Sequence, residues 1–115
     1  MSLHRIDKPQ WTTFCELLTT QLPGKRAEIE VASMEFGVQT EARWLPIMGV
    51  TYDSRMDAFE ITLDGLDHMI FRPLEVYAEF GFAGIESLAI VERNAWQIVV
   101  LRAPLMLSPP TDAPG

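Results

Sequence analysis

Residues 45–73 read LPIMGVTYDSRMDAFEITLDGLDHMIFRP, and this run restricts the fold more than any other part of the chain. Met48, Val50 and Tyr52 recur at every second position, as do Phe59, Ile61 and Leu63, and the polar, turn-forming stretch Asp53-Ser54-Arg55-Met56-Asp57 separates the two sets. A period of two puts alternate side chains on one face of an extended strand. The two runs therefore predict an antiparallel hairpin, and Asp64-Gly65 and Pro73 bracket a further strand over residues 67–72.

Only the N-terminal part carries a helical period. Trp11, Phe14, Cys15, Leu18 and Leu22 stand at i, i+3, i+4, i+7 and i+11, while Thr12, Thr13, Glu16 and Thr19 fall on the other side. That stripe predicts an amphipathic helix over about residues 8–21 whose apolar face is core. Asp7 with Gln10 three positions on reads as a cap, Pro9 is tolerated in the first turn, and Leu22-Pro23-Gly24 ends the helix.

From Lys25 the period falls to two. Ala27, Ile29 and Val31 alternate with Glu28 and Glu30; a turn around Gly37 leads to a strand from Thr40, bent at Pro46 and Gly49, where proline removes a ladder donor and glycine permits a bulge. Strands follow over residues 57–63 and 67–72. Residues 74–80 fit a strand or a short helical turn, and residues 85–92 and 96–103 form a second hairpin around Arg93-Asn94-Ala95. After Leu107 the sequence SPPTDAPG holds three prolines, which predicts a disordered tail over 108–115. The expected fold is a single α+β domain over 1–107: an N-terminal helix packed on a strongly bent antiparallel sheet or small open barrel of five to six strands.

Charge and cysteine usage narrow the function. The 115 residues carry a net charge of −7, and a field of that sign repels phosphate backbones instead of releasing their counterions; no nucleic-acid partner is expected. No apolar run reaches the length a spanning helix needs and the N-terminus has no signal-peptide pattern, so no membrane association and a cytoplasmic location are expected. Cys15 is the single cysteine, on the apolar side of the helix, where packing and not nucleophilic chemistry is its role.

One constellation invites a chemical reading. His68 has Asp67 beside it and Asp64 four residues before it, a histidine among carboxylates that suggests a general base or a metal ligand set. On a strand, however, residues 67 and 68 face opposite sides, and one imidazole with one or two carboxylates is too few ligands for structural zinc. Asp53 and Asp57 flank a turn without the graded oxygen ligands of a calcium loop and read as turn caps. No serine sits in a nucleophile elbow and no glycine-rich phosphate loop is present, so no cofactor is expected. Trp44, Tyr77, Phe80, Phe82 and Trp96 are aromatics for the core or for a groove.

The segments PGKRAEIEVAS, EARWLPIMGVTYD, LDGLDHMI and IVVLRAPLML resemble a family of short bacterial proteins classed as a domain of unknown function, and the likeness covers about residues 7–107. It implies a single domain of bacterial origin and no catalytic residue. A second likeness is topological: a helix followed by a bent five-stranded sheet is the order of Sm-like proteins, and Asp53-Ser54-Arg55-Met56-Asp57 resembles their loop of Asp, two variable residues, Met and Asn. Asp57 stands where that pattern has Asn, and Phe80-Gly81-Phe82-Ala83-Gly84 lacks the arginine of the second Sm motif. The likeness implies this topology and a ring-like assembly, while the acidic surroundings argue against carrying over RNA binding.

These readings favour a non-catalytic cytoplasmic module that binds another protein or itself. The alternative is a small enzyme or ligand- or metal-binding protein centred on His68, Asp64 and Asp67. Residues 96–101, WQIVVL, hold no charge or proline, so this strand at a sheet edge would pair with another chain. A homodimer is the expected assembly, through strand edges or through apolar sheet faces.

Overall fold

The structure is a computed structural model that describes residues 2–82 and 84–103. Among the described residues, one short helix and eight strands make up an α+β fold: β1 (Ser2–Ile6), a single 3-10 turn (Lys8–Gln10), α1 (Trp11–Thr20), β2 (Arg26–Ser33), β3 (Gly37–Asp53), β4 (Ala58–Leu63), β5 (Leu66–Phe71), β6 (Glu75–Gly81), β7 (Gly84–Val91) and β8 (Ala95–Arg102). They form a single antiparallel sheet in the order β1-β6-β7-β8-β2-β3-β4-β5. Eight strands replace the five to six expected, and the sheet is open, with β1 and β5 at its edges. The two extra strands are β1, whose five residues pair only with β6, and β6 itself, which takes up the stretch that fitted strand and helix alike.

The position of β8 also differs from expectation. It lies between β7 and β2 and pairs with both, so the WQIVVL strand has no free edge and edge pairing through it is ruled out. Its neighbour β2 is far away in sequence: paired residues lie 62 to 76 positions apart, from Ser33 opposite Ala95 to Arg26 opposite Arg102. Because the two hairpins are both rich in apolar side chains, burying their adjoining edges covers more apolar surface than leaving them at the rim.

β3 is 17 residues long and serves both halves of the sheet: its first part pairs with β2, its second with β4. Two irregularities turn it. Ala27 pairs with Leu45 but Ile29 with Ala42, leaving Arg43 and Trp44 opposite Glu28 alone, and a second shift falls between Ile47 and Gly49. Such bulges bend a strand and raise its twist. Trp44 has φ +54°, strained for a residue with a Cβ, and it is clamped there: its carbonyl accepts from Arg26 Nη1 at 3.0 Å and the Arg102 guanidinium lies 4.4 Å over its ring. At the second bend the Thr19 hydroxyl of α1 donates to the Val50 carbonyl at 3.0 Å and lies 3.1 Å from the Val50 amide nitrogen, which donates to it. The bend near Pro46 and Gly49 thus occurs as expected, with an earlier turn at Arg43-Trp44.

The bent sheet encloses α1. Trp11, Cys15, Leu18 and Leu22 are buried with Ile29, Val50, Phe59, Ile61, Ile70, Leu88, Ile90 and Val99 in a single core, as the helical stripe predicts. Helix residues begin one turn later than expected: Gln10 and not Asp7 precedes α1, Asp7 contributes its carbonyl to the Gln10 amide, and its side chain makes no cap. Burial, reinforced by Glu16, pushes the Cys15 thiol from its ordinary 9.0 up to about 12. Burial, then the hydrogen bond to Asp57, likewise pushes the Tyr52 phenol from 10.0 up to about 12. Groups whose folded values are raised stabilise the fold below their unfolded values and lose that contribution as pH climbs through the folded ones. The melting temperature should therefore be level to about pH 9 and fall between pH 9 and 12, and an aromatic disulfide reagent at pH 8 should label Cys15 only in denaturant. Rapid labelling of the native protein would show that the helix does not bury it.

Candidate functional site

His68 lies on β5, opposite Ile61 of β4, on the face of the sheet that meets the core. The sheet curls far enough to bring this edge strand over β8, where His68 Nε2 is 2.8 Å from Gln97 Oε1. Gln97 Nε2 in turn donates to Glu92 Oε2 at 2.7 Å. Since the amide nitrogen is committed to a carboxylate, the amide oxygen faces His68, and the imidazole must donate from Nε2. Gln97 is 7 % exposed, and both ends of its amide are satisfied, as a buried amide requires.

The carboxylates singled out in sequence do not join this chain. Asp67 pairs with Thr62 and, next to His68 on a strand, projects from the opposite face. Asp64 sits in the β4–β5 turn with its amide donating to the Pro46 carbonyl, next to Gly65 at φ +80°. Glu92, from the β7–β8 turn, is the acid that reaches the histidine, through Gln97. Among the described residues, no three of histidine, cysteine, aspartate and glutamate are placed to hold a metal ion. The Asp53 carboxylate accepts from the amides of Arg55 and Met56 at 2.9 and 3.2 Å, closing its turn. Asp57 accepts from the Tyr52 hydroxyl at 2.6 Å and faces Lys8 at 3.5 Å.

The other candidate surface is the face of the sheet turned away from the core. Register rows cross it from strand to strand: Tyr77, Ala89, Ile98 and Glu30 form one, and Glu75, Val91, Trp96, Ala32 and Val38 another. Val91, Ile98, Val100 and Ala89 are half-buried only by their sheet neighbours, and Trp96 is 51 % exposed. No described element packs over them. At one end the β2–β3 hairpin extends beyond the body: residues 34–41 are exposed on both faces, with Met34, Phe36 and Val38 at its tip. Ser33 Oγ accepts from the Phe36 amide and Gly37 takes φ +73°, closing the tip. Between this tip and the β7–β8 turn lies an open cleft of about 810 Å³ lined by Met34, Phe36, Glu92, Arg93 and Trp96 among others.

Trp96 and Gln97 show what sequence reasoning could not supply. In WQIVVL, hydrophobicity alone suggests that tryptophan faces in and glutamine out; the reverse holds. Both sides of the strand are apolar, so alternation does not set its phase, and the deciding contacts, His68 and Glu92, come from other elements.

Three comparisons place the chain among known proteins. No solved structure matches it. An uncharacterized protein of the bacterium Aquifex aeolicus (strain VF5) is 30 % identical over 110 residues, covering 95 % of this chain and 99 % of that protein. The eight-stranded open sheet, with β1 ahead of the helix, departs from the five-stranded order that the Sm-like resemblance implies. Residues 2–110 match the model described as a family of unknown function, DUF5335, and the chain belongs to that family.

Proposed function

We propose that this chain is a non-catalytic protein-interaction module of the cytoplasm, and that its binding surface is the uncovered outer face of the sheet with the neighbouring hairpin tip. The carrying observation is that face: Trp96, Val38, Ile98, Val100 and Val91 adjoin one another with no described element over them. Contiguous apolar surface of this kind on a small domain marks a contact site. The alternative centred on His68, Asp64 and Asp67 has less support, because the three side chains stand on a core-side face, in a turn and on the opposite face. His68 has a structural account as the polar tie between β5 and β8. Among the described residues no helix is long and apolar enough to cross a membrane.

A photoreactive phenylalanine analogue at position 96 tests this reading in cells that naturally express the protein. Cross-links to protein, whether to itself or to another chain, are expected from position 96 and not from Thr13, which is exposed on α1. Equal, background-level labelling from both positions would overturn it. The same reading excludes polynucleotides: with a net charge of −7, gel-shift titration at about 0.1 M salt should show no complex with RNA or DNA. A dissociation constant near 1 μM or tighter would count against the proposal.

A further inference from the structure

We infer that the occupant of the outer sheet face is a second copy of this chain, seated face to face about a two-fold axis. The inference rests on the binding surface proposed above and names its partner. It draws on how charge is distributed. Arg5, Arg26, Arg43 and Arg102 lie on this face, with Glu28, Glu30, Glu75, Glu79 and Glu86; the register rows place all but two of them, Arg43 is placed by its 4.0 Å ion pair with Glu28, and Glu86 by its carboxylate, which occupies the space over Gly81. Four cations against five anions leave the face near neutrality, while the whole chain carries −7. Two copies of so acidic a protein repel one another through most approaches. They meet with least repulsion through this face.

A two-fold interface must also be complementary to itself, since the same patch supplies both sides. Here the apolar rows run through the middle of the sheet, at Ala89, Val91, Trp96, Ile98 and Val100, and charges of both signs stand around them. Most of those charges have no ion partner within their own subunit: among the described residues the ion pairs are Lys8 with Asp57 and Arg43 with Glu28. Arg5, Glu30 and Glu86, and Glu79 through the carboxylate oxygen not engaged by the Ser87 hydroxyl, can form ion pairs with opposite charges across the axis. That arrangement, an apolar centre with a charged rim, is the anatomy of a specific interface. Strands spaced about 4.8 Å apart with a rise of about 3.4 Å per residue give the six adjoining strands β1, β6, β7, β8, β2 and β3 a footprint on the order of 25 by 20 Å, about 500 Å² in projection, which side-chain relief brings to the low end of specific interfaces at about 600 Å² per partner.

Sedimentation velocity of the purified full chain across about 1 to 100 μM, a range that spans typical reversible dimers, tests the inference. A dimer is expected for the native sequence, and Ile98→Lys should shift it to monomer by at least tenfold in the dissociation constant while keeping a native circular-dichroism spectrum and a cooperative melt that no longer depends on protein concentration, because residue 98 points away from the core and its neighbour Glu30 can accept the new charge. Trp96→Glu, at a half-exposed position, provides the same readout if Ile98→Lys fails to fold. A native chain that stays monomeric at 100 μM would overturn the inference, and so would a dimer that both variants leave intact, which would place the contact at an edge strand. A native monomer that dimerises only after removal of residues 104–115 would give the face to the chain's own C-terminal segment and equally overturn it. Monomeric behaviour together with cross-links from position 96 to a different protein would remove the second copy and leave the binding surface standing; absence of cross-links would remove both.

Discussion

Val99→Asp should abolish folding, while Ile98→Lys, one residue away, should leave it intact. Val99 has no exposed surface and lies among Ile29, Leu88 and Ile90 at the centre of the core. An aspartate there must bury a carboxylate with no donor near it, or bind a proton and still leave polar atoms unmatched. The cost exceeds about 4 kcal/mol, which is comparable with the whole stability of a small domain, about 5 to 15 kcal/mol. Far-ultraviolet circular dichroism with urea titration separates the two variants. If both fold with similar midpoints, the phase of β8 described above is incorrect.

The second large effect is expected at Trp11. Its indole is buried at the start of α1, tilts against Phe59 at 5.2 Å between ring centres, meets Tyr52 edge-on at 5.1 Å, and donates through Nε1 to the Ile6 carbonyl at 2.8 Å. One side chain thereby joins β1, α1, β3 and β4. Trp11→Ala should cost about 3 to 5 kcal/mol through the cavity left behind and the lost transfer of the ring from water, and Trp11→Phe should recover most of it while leaving the Ile6 carbonyl without that donor. A loss under about 1 kcal/mol for Trp11→Ala would mean that the helix contributes little to holding the sheet.

How far the sequence announces this architecture depends on where each element gets its stability. The helix carries its own stripe, β4 carries alternation, β5 is bracketed by Asp64-Gly65 and Pro73, and β7 is rich in Ile, Leu and Val before the polar Arg93-Asn94-Ala95 loop, so they are legible to within a residue or two. β1 is not. Ser2–Ile6 has too few residues to show a period, and what makes it a strand is the ladder of β6, 70 or more residues away. β6 is ambiguous in sequence because Val76, Tyr77 and Phe80 satisfy a helical spacing as well as an extended one; pairing on both sides, with β1 and β7, decides it. At the candidate site, the opposed faces of Asp67 and His68 follow from strand geometry alone. Gln97 and Glu92 do not, since their meeting with His68 depends on how tightly the sheet curls.

The central place of β8 has a consequence for how the protein is made. β2, β3, β4 and β5 are contiguous in the chain and complete a four-stranded meander once residue 71 has been synthesised. The partner that covers the open side of β2 is the last of the described strands to appear, residues 95–102. At a translation rate of about 5 to 20 residues per second, the nascent chain carries an unsatisfied row of amides and carbonyls on β2 for roughly 2 to 6 s. During that interval the meander offers a template to any other extended chain. Ribosomes stalled before Ala95 therefore release a sticky product, and arrival of the final strand works as the closing step that takes the nascent protein out of reach of its neighbours.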